Sequence, residues 1–170
     1  MSHVAFALGT NIGDRIAHLD YAIARLRSTQ RVSNVSASQF YETLPVGGPD
    51  QDNYLNAVVV AESTLTPREL LDLCHDIEAG RDRIRDVRWG PRTLDVDLLV
   101  VDHVISTDPE LTLPHPRAHL RGFVLLPWST IDPTCEIPGH GIVSELAAAV
   151  GSDGVWLSQL QSEGKGLHDA

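Results

Sequence analysis

Two aspartates, Asp95 and Asp97, stand out in the segment RWGPRTLDVDLLV, which also contains Arg88 and Arg92. The residues around the aspartates alternate between apolar and acidic, which is typical of a β-strand with both carboxylates on one face. Two residues advance along a strand by about 6.5 Å, so both carboxylates could reach the same metal cluster. Carboxylate oxygens suit Mg²⁺, and the planar guanidinium of arginine binds phosphate oxygens in pairs. The segment therefore predicts a site for magnesium and a phosphate-rich ligand.

The alternative explanation of this Asp-x-Asp pattern is the solvated face of an edge strand. However, the strand continues into the apolar Val100 and Val101, which confines the polar face to one end. The whole chain has a net charge of −10, so a local basic segment indicates a compact anionic ligand and not a nucleic-acid coat. Near the polar end of the strand, the chain contains Arg81, Arg83, Arg85, Arg88 and Arg92.

The composition is that of a globular protein with one hydrophobic core. The chain has 170 residues, of which 42% are hydrophobic, and we predict a single domain over residues 1–160 followed by a flexible tail at 161–170. No apolar run is long enough to span a membrane, and the N-terminus lacks the features of a signal peptide, so we expect a cytoplasmic protein. Cys74 and Cys135 form no CxxC pair and are expected to be reduced.

The periodicity of apolar residues predicts the elements that position the acidic segment. Thr66 and Glu69 form a capping box that begins a helix. A loop at residues 43–53 is long enough to indicate a functional role. The order β-α-β-β-α-β predicts an α+β sandwich, in which helices pack on one antiparallel sheet. The predicted strands cover residues 4–8, 32–41, 54–61 and the acidic segment, and the predicted helices cover residues 14–28, 67–80, 123–130 and 142–150.

Four motifs in a fixed order carry a resemblance to a known family. They are YETLPVGGPDQDNYLNAVV, IEAGRDRIR, RWGPRTLDVDLL and LPHPRAHLRGFVLLP. On these motifs, the chain resembles the 6-hydroxymethyl-7,8-dihydropterin pyrophosphokinases of folate biosynthesis over about residues 4–138. The resemblance implies a ferredoxin-like α+β fold. It also implies transfer of the terminal pyrophosphate of ATP to the pterin hydroxymethyl group, with AMP as the second product.

The resemblance further implies that Asp95 and Asp97 are ligands of two Mg²⁺ ions that bridge the triphosphate. Attack on phosphorus spreads charge over several oxygens, and such ions neutralise this charge. The catalytic arginines implied by the motifs are Arg83 and Arg92. The residues expected to contact ATP are Arg85, Arg88, Leu98, Leu111, Thr112, His115 and Arg121.

The same resemblance implies a pterin site in which Tyr54 and Phe123 hold the flat ring between two aromatic faces. Trp89 would close over this site from the arginine-rich loop. Without the resemblance, all three residues would be interpreted as ordinary core aromatics, because such side chains are mostly buried.

Polar contacts to the pterin edges are implied for Asn56 and for the backbone around Thr43 and Val46. A primary amide offers both donors and an acceptor, as a pterin edge requires. Glu78 has a counterpart in the family beside the arginine-rich loop, and we expect it to support the site without touching the ligand.

The chain also departs from the family pattern at several positions. Asp82 precedes Arg83 where glycine is common, and two residues separate Arg85 from Arg88, one fewer than in some members. Glu110 and Pro116 replace an arginine and a tyrosine of some members. These changes bear on nucleotide affinity and loop kinetics, and they leave the reaction class intact.

Two other functions fit parts of the pattern. The predicted element order is also that of single-stranded RNA readers, but those proteins need aromatic strands and a basic face. A magnesium-dependent phosphohydrolase would explain the aspartates and arginines but not the segment around Tyr54 and Asn56. We therefore expect ATP and the pterin as partners of a monomer that binds neither nucleic acid nor a membrane.

Overall fold

The computed structural model describes residues 1–44, 52–81 and 93–162. Each of the four predicted helices is found, with bounds within one residue of the prediction. None of the helices in these ranges is long and apolar enough to cross a membrane. The helices are α1 (Arg15–Ser28), α2 (Pro67–Ala79), α3 (Gly122–Ile131) and α4 (Val143–Val150), with a 3-10 helix at Ala118–Leu120. The strands are β1 (Ser2–Thr10), β2 (Val32–Ala37), β3 (Tyr41–Thr43), β4 (Tyr54–Ser63), β5 (Asp95–Val101), β6 (Ser106–Asp108), β7 (Leu111–Leu113), β8 (Glu136–Ile137), β9 (Gly141–Ile142) and β10 (Val155–Leu157).

The N-terminal strand β1 lies in the middle of the main sheet. It pairs antiparallel with β4 on one side and with β5 on the other. Both β2 and β3 pair antiparallel with β4, and β10 extends the sheet beyond β3. This arrangement confirms the predicted ferredoxin-like α+β fold. Its register places Asn56 of β4 and Asp95 of β5 on opposite sides of Gly9 in β1.

Helices α1 and α2 cover one face of the sheet, where Leu26 and Ile77 pack in a common core with Phe6. The predicted capping box begins α2. The Thr66 hydroxyl accepts a hydrogen bond from the Glu69 backbone N–H at 3.1 Å, and the Glu69 carboxylate accepts one from the Thr66 N–H at 3.0 Å. These bonds satisfy two backbone donors that a helix N-terminus would otherwise leave without partners. Because α2 packs beside β5, its C-terminal end reaches the acidic strand.

Helices α3 and α4 cover the opposite face of the sheet. Trp128 of α3 is fully buried and is the largest side chain of this second core. A register shift in the β1–β5 pairing lets two consecutive residues of β5, Leu99 and Val100, join this core. The sheet is therefore covered on both faces, and its acidic strand is held between two helical layers.

Two features of the sheet differ from the sequence prediction. The strand predicted at residues 32–41 is split into β2 and β3, because the Ser38 side chain takes part in the pairing with β4. The Ser38 N–H donates to the Val58 carbonyl, and the Val58 N–H donates to the Ser38 hydroxyl, both at 2.9 Å. Strand β10 and the β8–β9 hairpin were not predicted, because two or three residues are too few to show an alternating pattern.

The end of the described chain is attached to the folded domain. Gln161 accepts a hydrogen bond from the Phe40 N–H at 2.8 Å and donates one to the Phe40 carbonyl at 2.9 Å. Ser162 hydrogen-bonds to Asp20 of α1. The first two residues of the predicted tail are therefore held in place, and residues 163–170 lie outside the described residues.

Candidate active site

A pocket of about 710 Å³ opens where β4, β1 and β5 meet the N-terminal end of α3. Its lining residues come from elements far apart in the sequence, so the pocket is formed only by the folded chain. Carboxylates, an amide and aromatic rings that converge on one cavity are typical of a site for a polar, planar ligand. The predicted site residues that line it are Thr43, Tyr54, Asn56, Asp95, Asp97, Arg121 and Phe123.

Asp95 and Asp97 lie on one face of β5, as the alternation predicted. Both are half-buried and line the pocket, whereas Val96 between them is buried in the core under α1 and α2. The Asp97 side chain is 44% exposed, so a ligand can reach its oxygens. Two hard oxygen donors on one open cavity fit Mg²⁺, which takes one or two carboxylates and completes its shell with water and phosphate oxygens.

Glu78, near the end of α2, supports the acidic strand from its outer edge. Its carboxylate accepts a hydrogen bond from the Val96 backbone N–H at 3.0 Å. Within the described chain, β5 ends the strand order on this side, so the side chain replaces a neighbouring strand. The bond fixes the peptide unit between the two aspartates. Burial and the charges of Glu78 and Asp97 raise the pKa of the underlying Cys74 thiol well above its ordinary value.

His115 lies beside the acidic pair with a defined ring orientation. Its Nδ1 accepts a hydrogen bond from the Arg117 backbone N–H at 3.1 Å, and its Nε2 is 3.9 Å from a carboxylate oxygen of Asp97. Burial lowers the pKa of His115. The charge of Asp97 opposes this shift, and Arg121 and Arg117 reinforce it. In the neutral ring the proton is therefore on Nε2, from which it can be donated to a ligand oxygen near Asp97.

Asn56 is buried at the opposite side of the pocket, and its amide is oriented by neighbouring groups. The amide nitrogen donates to the Thr43 hydroxyl at 2.8 Å and to the Tyr41 carbonyl at 3.3 Å. Both amide hydrogens thus have protein acceptors, which leaves Oδ1 as the atom of Asn56 that can meet a ligand. A Cβ at Gly9 would lie 3.3 Å from this Oδ1, so glycine keeps the adjacent strand clear of the amide.

The two aromatic residues predicted at the pterin, Tyr54 and Phe123, line the same pocket from β4 and from the first turn of α3. The Arg121 guanidinium lies over the Phe123 ring, with its central carbon 5.4 Å from the ring centroid. This cation–π contact holds a positive charge at the pocket wall while the ring also packs against the second core.

Four of the described residues predicted at the nucleotide do not line the pocket: Leu98, Leu111, Thr112 and His115, the last of which lies beside Asp97. Leu98 is buried and its side chain packs in the core under α1 and α2. Leu111 and Thr112 lie in β7, where the Thr112 hydroxyl donates to the Asp108 carbonyl at 3.0 Å. For Leu98, the expected contact can therefore involve only the backbone. The predicted site residues that lie outside the described residues are Val46, Arg83, Arg85, Arg88, Trp89 and Arg92.

The segment after α4 also lines the pocket, although no sequence pattern predicted it there. Gly151, Asp153 and Gly154 all contribute to the wall. Both glycines have a positive φ, of 81° and 72°, which permits the tight turn that leads back to β10. A Gly-Ser-Asp-Gly turn signal is present in the sequence, but its position in the pocket wall depends on the pairing of β10 with β3.

Glu110 and Pro116, the two departures from the family pattern within the described residues, do not line the pocket. Glu110 accepts a hydrogen bond from the Arg68 guanidinium at 3.2 Å on the surface. Pro116 occupies the turn directly after His115. Asp82 lies outside the described residues.

Comparisons with known proteins show which proteins this chain is similar to. The family model described as 7,8-dihydro-6-hydroxymethylpterin-pyrophosphokinase (HPPK) matches residues 5–133. The 2-amino-4-hydroxy-6-hydroxymethyldihydropteridine pyrophosphokinase of Methylorubrum extorquens is 41% identical over 147 residues, which cover 86% of this chain and 93% of that protein. The protein of the same name from Bacillus subtilis is 44% identical over 132 residues, which cover 77% of this chain and 79% of that protein.

Solved structures share the fold. The crystal structure of wild-type Plasmodium falciparum HPPK-DHPS with pteroate matches with a TM-score of 0.67 and 12% sequence identity, over 87% of this chain and 44% of that chain. The A437G form with STZ-DHP matches with a TM-score of 0.65 and 12% identity, over 87% and 45%. At this identity the likeness concerns the fold alone, and the present chain spans less than half of those solved chains.

Proposed function

The chain belongs to the 7,8-dihydro-6-hydroxymethylpterin-pyrophosphokinase family, and we propose that it uses ATP and Mg²⁺ in the pocket between β4, β5 and α3. The reaction of this family is pyrophosphoryl transfer to 6-hydroxymethyl-7,8-dihydropterin in folate biosynthesis. ATP is the proposed donor of the pyrophosphoryl group, and AMP is the proposed second product.

One observation carries the assignment of this activity to the pocket. Asn56 and Asp95 are on the two strands that flank β1, and both are paired with Gly9. Asn56, whose amide suits the edge of a heterocycle, therefore lies across Gly9 from Asp95, whose carboxylate suits a metal–phosphate complex. Such proximity is what direct transfer between two bound substrates needs, because orientation of the reactants supplies much of the rate increase.

Asp95 and Asp97 are proposed to hold Mg²⁺, and the family resemblance leads us to expect two ions. When bound, the ions would neutralise the charge that develops on the phosphate oxygens during transfer. The chain itself holds both carboxylates on one face of β5 and fixes the intervening peptide through Glu78. The arginines proposed to bind phosphate oxygens are Arg83, Arg85, Arg88, Arg92 and Arg121.

The pterin is proposed to bind on the other side of the pocket. Asn56 would accept a hydrogen bond from a ring N–H through Oδ1, since both its amide hydrogens are bonded within the protein. Tyr54 and Phe123 would contact the ring faces, which buries flat apolar area and leaves the edges for hydrogen bonds. Val46 and Trp89 remain proposed contacts from the resemblance. The Thr43 backbone is proposed to contact the pterin. The Thr43 hydroxyl also accepts a hydrogen bond from Asn56 and so orients the amide.

His115 is proposed to act as a hydrogen-bond donor to a phosphate oxygen. Its Nδ1 is occupied as an acceptor, so the neutral ring presents Nε2–H toward Asp97. A ring in this state cannot also remove the proton of the pterin hydroxyl through Nε2. Rate enhancement would then come from substrate orientation and charge neutralisation.

The proposal is tested by product analysis with protein, Mg²⁺, ATP and the pterin. We expect AMP to form only when the pterin is present, and to disappear when a chelator removes Mg²⁺. Formation of ADP or free phosphate without pterin would contradict the proposal and favour a phosphohydrolase. Absence of turnover by a folded protein would also contradict it. The monomeric state and the cytoplasmic location remain predictions from the sequence.

A further inference from the structure

A second group of metal-binding residue types lies outside the pocket, at the other end of β1. It consists of His3 near the start of β1, Asp132 directly after α3, and Cys135 in the turn that follows. One potential ligand atom from each residue lies within 4.8 Å of the other two. The catalytic activity described above uses none of these residues.

The distance from the pocket follows from the sheet register. His3 pairs with Glu62 at one end of β4, whereas Gly9 pairs with Asn56 at the pocket. Gly9 is six positions after His3 along the strand, which corresponds to about 20 Å. Along α3, Phe123 lies at the pocket and Asp132 directly follows the helix, nine positions and about 14 Å further on. The His3–Asp132–Cys135 cluster is therefore separate from the active site.

The surroundings of the cluster hold its side chains in place. The Asp132 carboxylate accepts hydrogen bonds from His3 Nε2 at 2.7 Å and from Trp128 Nε1 at 3.2 Å. Trp128 is fully buried and therefore rigid, and the His3 backbone N–H donates to Asp102 at 2.7 Å. Partners that orient the ligands in this way are a regular feature of protein metal sites.

We propose that His3, Asp132 and Cys135 bind a divalent transition-metal ion, with Zn²⁺ as the best match. An imidazole nitrogen, a carboxylate oxygen and a sulfur are the three donor types found at zinc sites. Asp132 and Cys135 are three positions apart in one turn, within the short spacing common for paired zinc ligands. His3 is 39% exposed on its side chain, which leaves an open side for a water molecule as fourth ligand.

Small movements of the ligand atoms would bring them to the distances that such an ion requires, since all three lie within 4.8 Å of one another. Tetrahedral bonds of about 2.0–2.3 Å place ligand atoms about 3.3–3.8 Å apart. The His3–Asp132 contact of 2.7 Å is a hydrogen bond, so the ion would take the place of the shared proton and move the two atoms apart by under about 1 Å. An exposed histidine at the second position of a strand can make this adjustment by rotating its side chain.

The local charges favour a cation. The negative charges of Asp102, Glu62 and Asp132 interact with His3, and the negative charge of Glu136 interacts with Cys135. A zinc-bound cysteine is a thiolate, whereas a free cysteine is mostly a thiol near neutral pH. Binding must therefore release the thiol proton, and also the His3 proton when that ring is charged. The affinity should consequently rise with pH, as for other thiolate sites.

Metal binding here would join the first strand to the end of α3. Because the three ligands come together only in the folded chain, the ion would stabilise the folded state by mass action. At a concentration about 100-fold above the dissociation constant, we expect a rise in Tm of about 5 °C or more.

The test is a Co²⁺ titration of the full chain after removal of metals, followed by absorption spectroscopy. Cobalt bound through a thiolate gives a charge-transfer band in the near ultraviolet, whereas cobalt bound by the pocket carboxylates does not. We expect one equivalent of Co²⁺ to produce the band and Zn²⁺ to remove it. Cys135→Ser should abolish the band, and His3→Gln should weaken Co²⁺ binding by about 10-fold or more.

Cys74→Ala is the matched control, because it removes the other thiol of the chain and should leave the band unchanged. Circular dichroism and retained pyrophosphokinase activity would show that Cys135→Ser is folded. Two results would overturn the proposal: absence of the band in the unchanged protein, and an equal band in folded Cys135→Ser. Either result would identify the cluster as a hydrogen-bonded contact only, and neither would bear on the proposed function of the pocket.

Discussion

The two walls of the pocket are built in different ways. We call Asp95 and Asp97, together with the adjacent His115, the carboxylate wall, and Thr43, Tyr54 and Asn56 the amide wall. In the amide wall, the donors of Asn56 are already bonded to protein acceptors at 2.8 and 3.3 Å. In the carboxylate wall, His115 Nε2 is 3.9 Å from the nearer carboxylate oxygen of Asp97, which is beyond hydrogen-bond distance.

This difference indicates which substrate binds at each wall. A ligand that meets the amide wall finds one acceptor in a fixed position, so binding needs little reorganisation and shape selects the ligand. The carboxylate wall presents negative charge to an open cavity, so its geometry is completed by cations and phosphate oxygens. Substitutions in the carboxylate wall should therefore lower the rate of transfer, and those in the amide wall should weaken pterin binding.

The largest effect is expected for Asp97→Ala. Loss of one carboxylate removes a metal ligand from the site of charge development, and kcat should fall by about 10³-fold. Steady-state kinetics with saturating ATP and pterin measure this change, with circular dichroism to confirm the fold. Asp72→Ala is the control, because Asp72 is an exposed residue of α2 whose ion pair with Arg68 is long, at 3.7 Å. Equal kcat values for the two variants would remove Asp97 from the metal site.

The next effect tests the amide wall. Asn56→Ala removes the acceptor for the pterin and leaves the Thr43 hydroxyl without its donor, so KM for the pterin should rise by about 10- to 100-fold. KM for ATP should stay nearly constant. Thr43→Val keeps the volume and the Asn56 acceptor, and its effect on pterin KM should be smaller. A fall in kcat with unchanged pterin KM in Asn56→Ala would contradict the division between the walls.

A smaller effect is expected for Glu78→Gln, which tests whether the carboxylate wall depends on its support. The glutamine oxygen can still accept a hydrogen bond from Val96, but without the charge that strengthens it. We expect the Mg²⁺ concentration for half-maximal rate to rise by about 10-fold, as for other residues that position metal ligands. An Mg²⁺ dependence identical to that of the unchanged protein would show that Glu78 serves only the fold.

The smallest effect concerns the His3–Asp132 pair, which lies outside both walls and should change stability without changing kinetics. The hydrogen bond to Asp132 raises the pKa of His3 above its ordinary 6.5, although burial opposes this shift. This contribution is complete below pH 6.5 and is lost as the pH rises through the raised pKa. Burial would raise the pKa of Asp132, but hydrogen bonds from His3 and Trp128 lower it below 3.8, so its contribution is lost only in stronger acid.

The pair should therefore stabilise the fold most between about pH 4 and 6.5. With a chelator present, Asp132→Asn should lower Tm more at about pH 5.5 than at about pH 8.5. The difference should correspond to about 1 kcal/mol or less, because His3 is partly exposed and water screens the pair. Thermal unfolding at both pH values measures it. A larger loss at the higher pH would mean that His3 is not charged in the folded protein.

The parts of the site that the sequence predicted depend on local patterns. The alternation around Asp95 and Asp97 determines which face of β5 they share, and the capping box at Thr66 determines where α2 begins. Helix α2 then ends close enough for Glu78 to reach the Val96 N–H. The first two relations involve residues near in sequence, so periodicity and capping rules were sufficient for them. Glu78 was expected at the site only from the family resemblance, because its partner lies 18 positions further along the chain.

The remaining parts depend on contacts between distant residues. The orientation of the Asn56 amide is set by Thr43 across the β3–β4 pairing, which no local pattern encodes. Asp153 reaches the pocket because β10 pairs with β3, more than one hundred residues earlier in the chain. The residue type of Asn56 suggested that both its donors and its acceptor would face the ligand. In the structure both donors are bonded to Tyr41 and Thr43, because β3 pairs with β4.

Nucleotide-dependent binding of Mn²⁺ is the most direct test of the central claim that the carboxylate wall holds the metal–nucleotide complex. Electron paramagnetic resonance would measure free Mn²⁺ with a non-hydrolysable ATP analogue, in the unchanged protein, in Asp97→Ala and in Asn56→Ala. We expect Asn56→Ala to bind Mn²⁺ like the unchanged protein and Asp97→Ala to lose the nucleotide-dependent binding. Equal Mn²⁺ binding by all three proteins would contradict the assignment of the carboxylate wall.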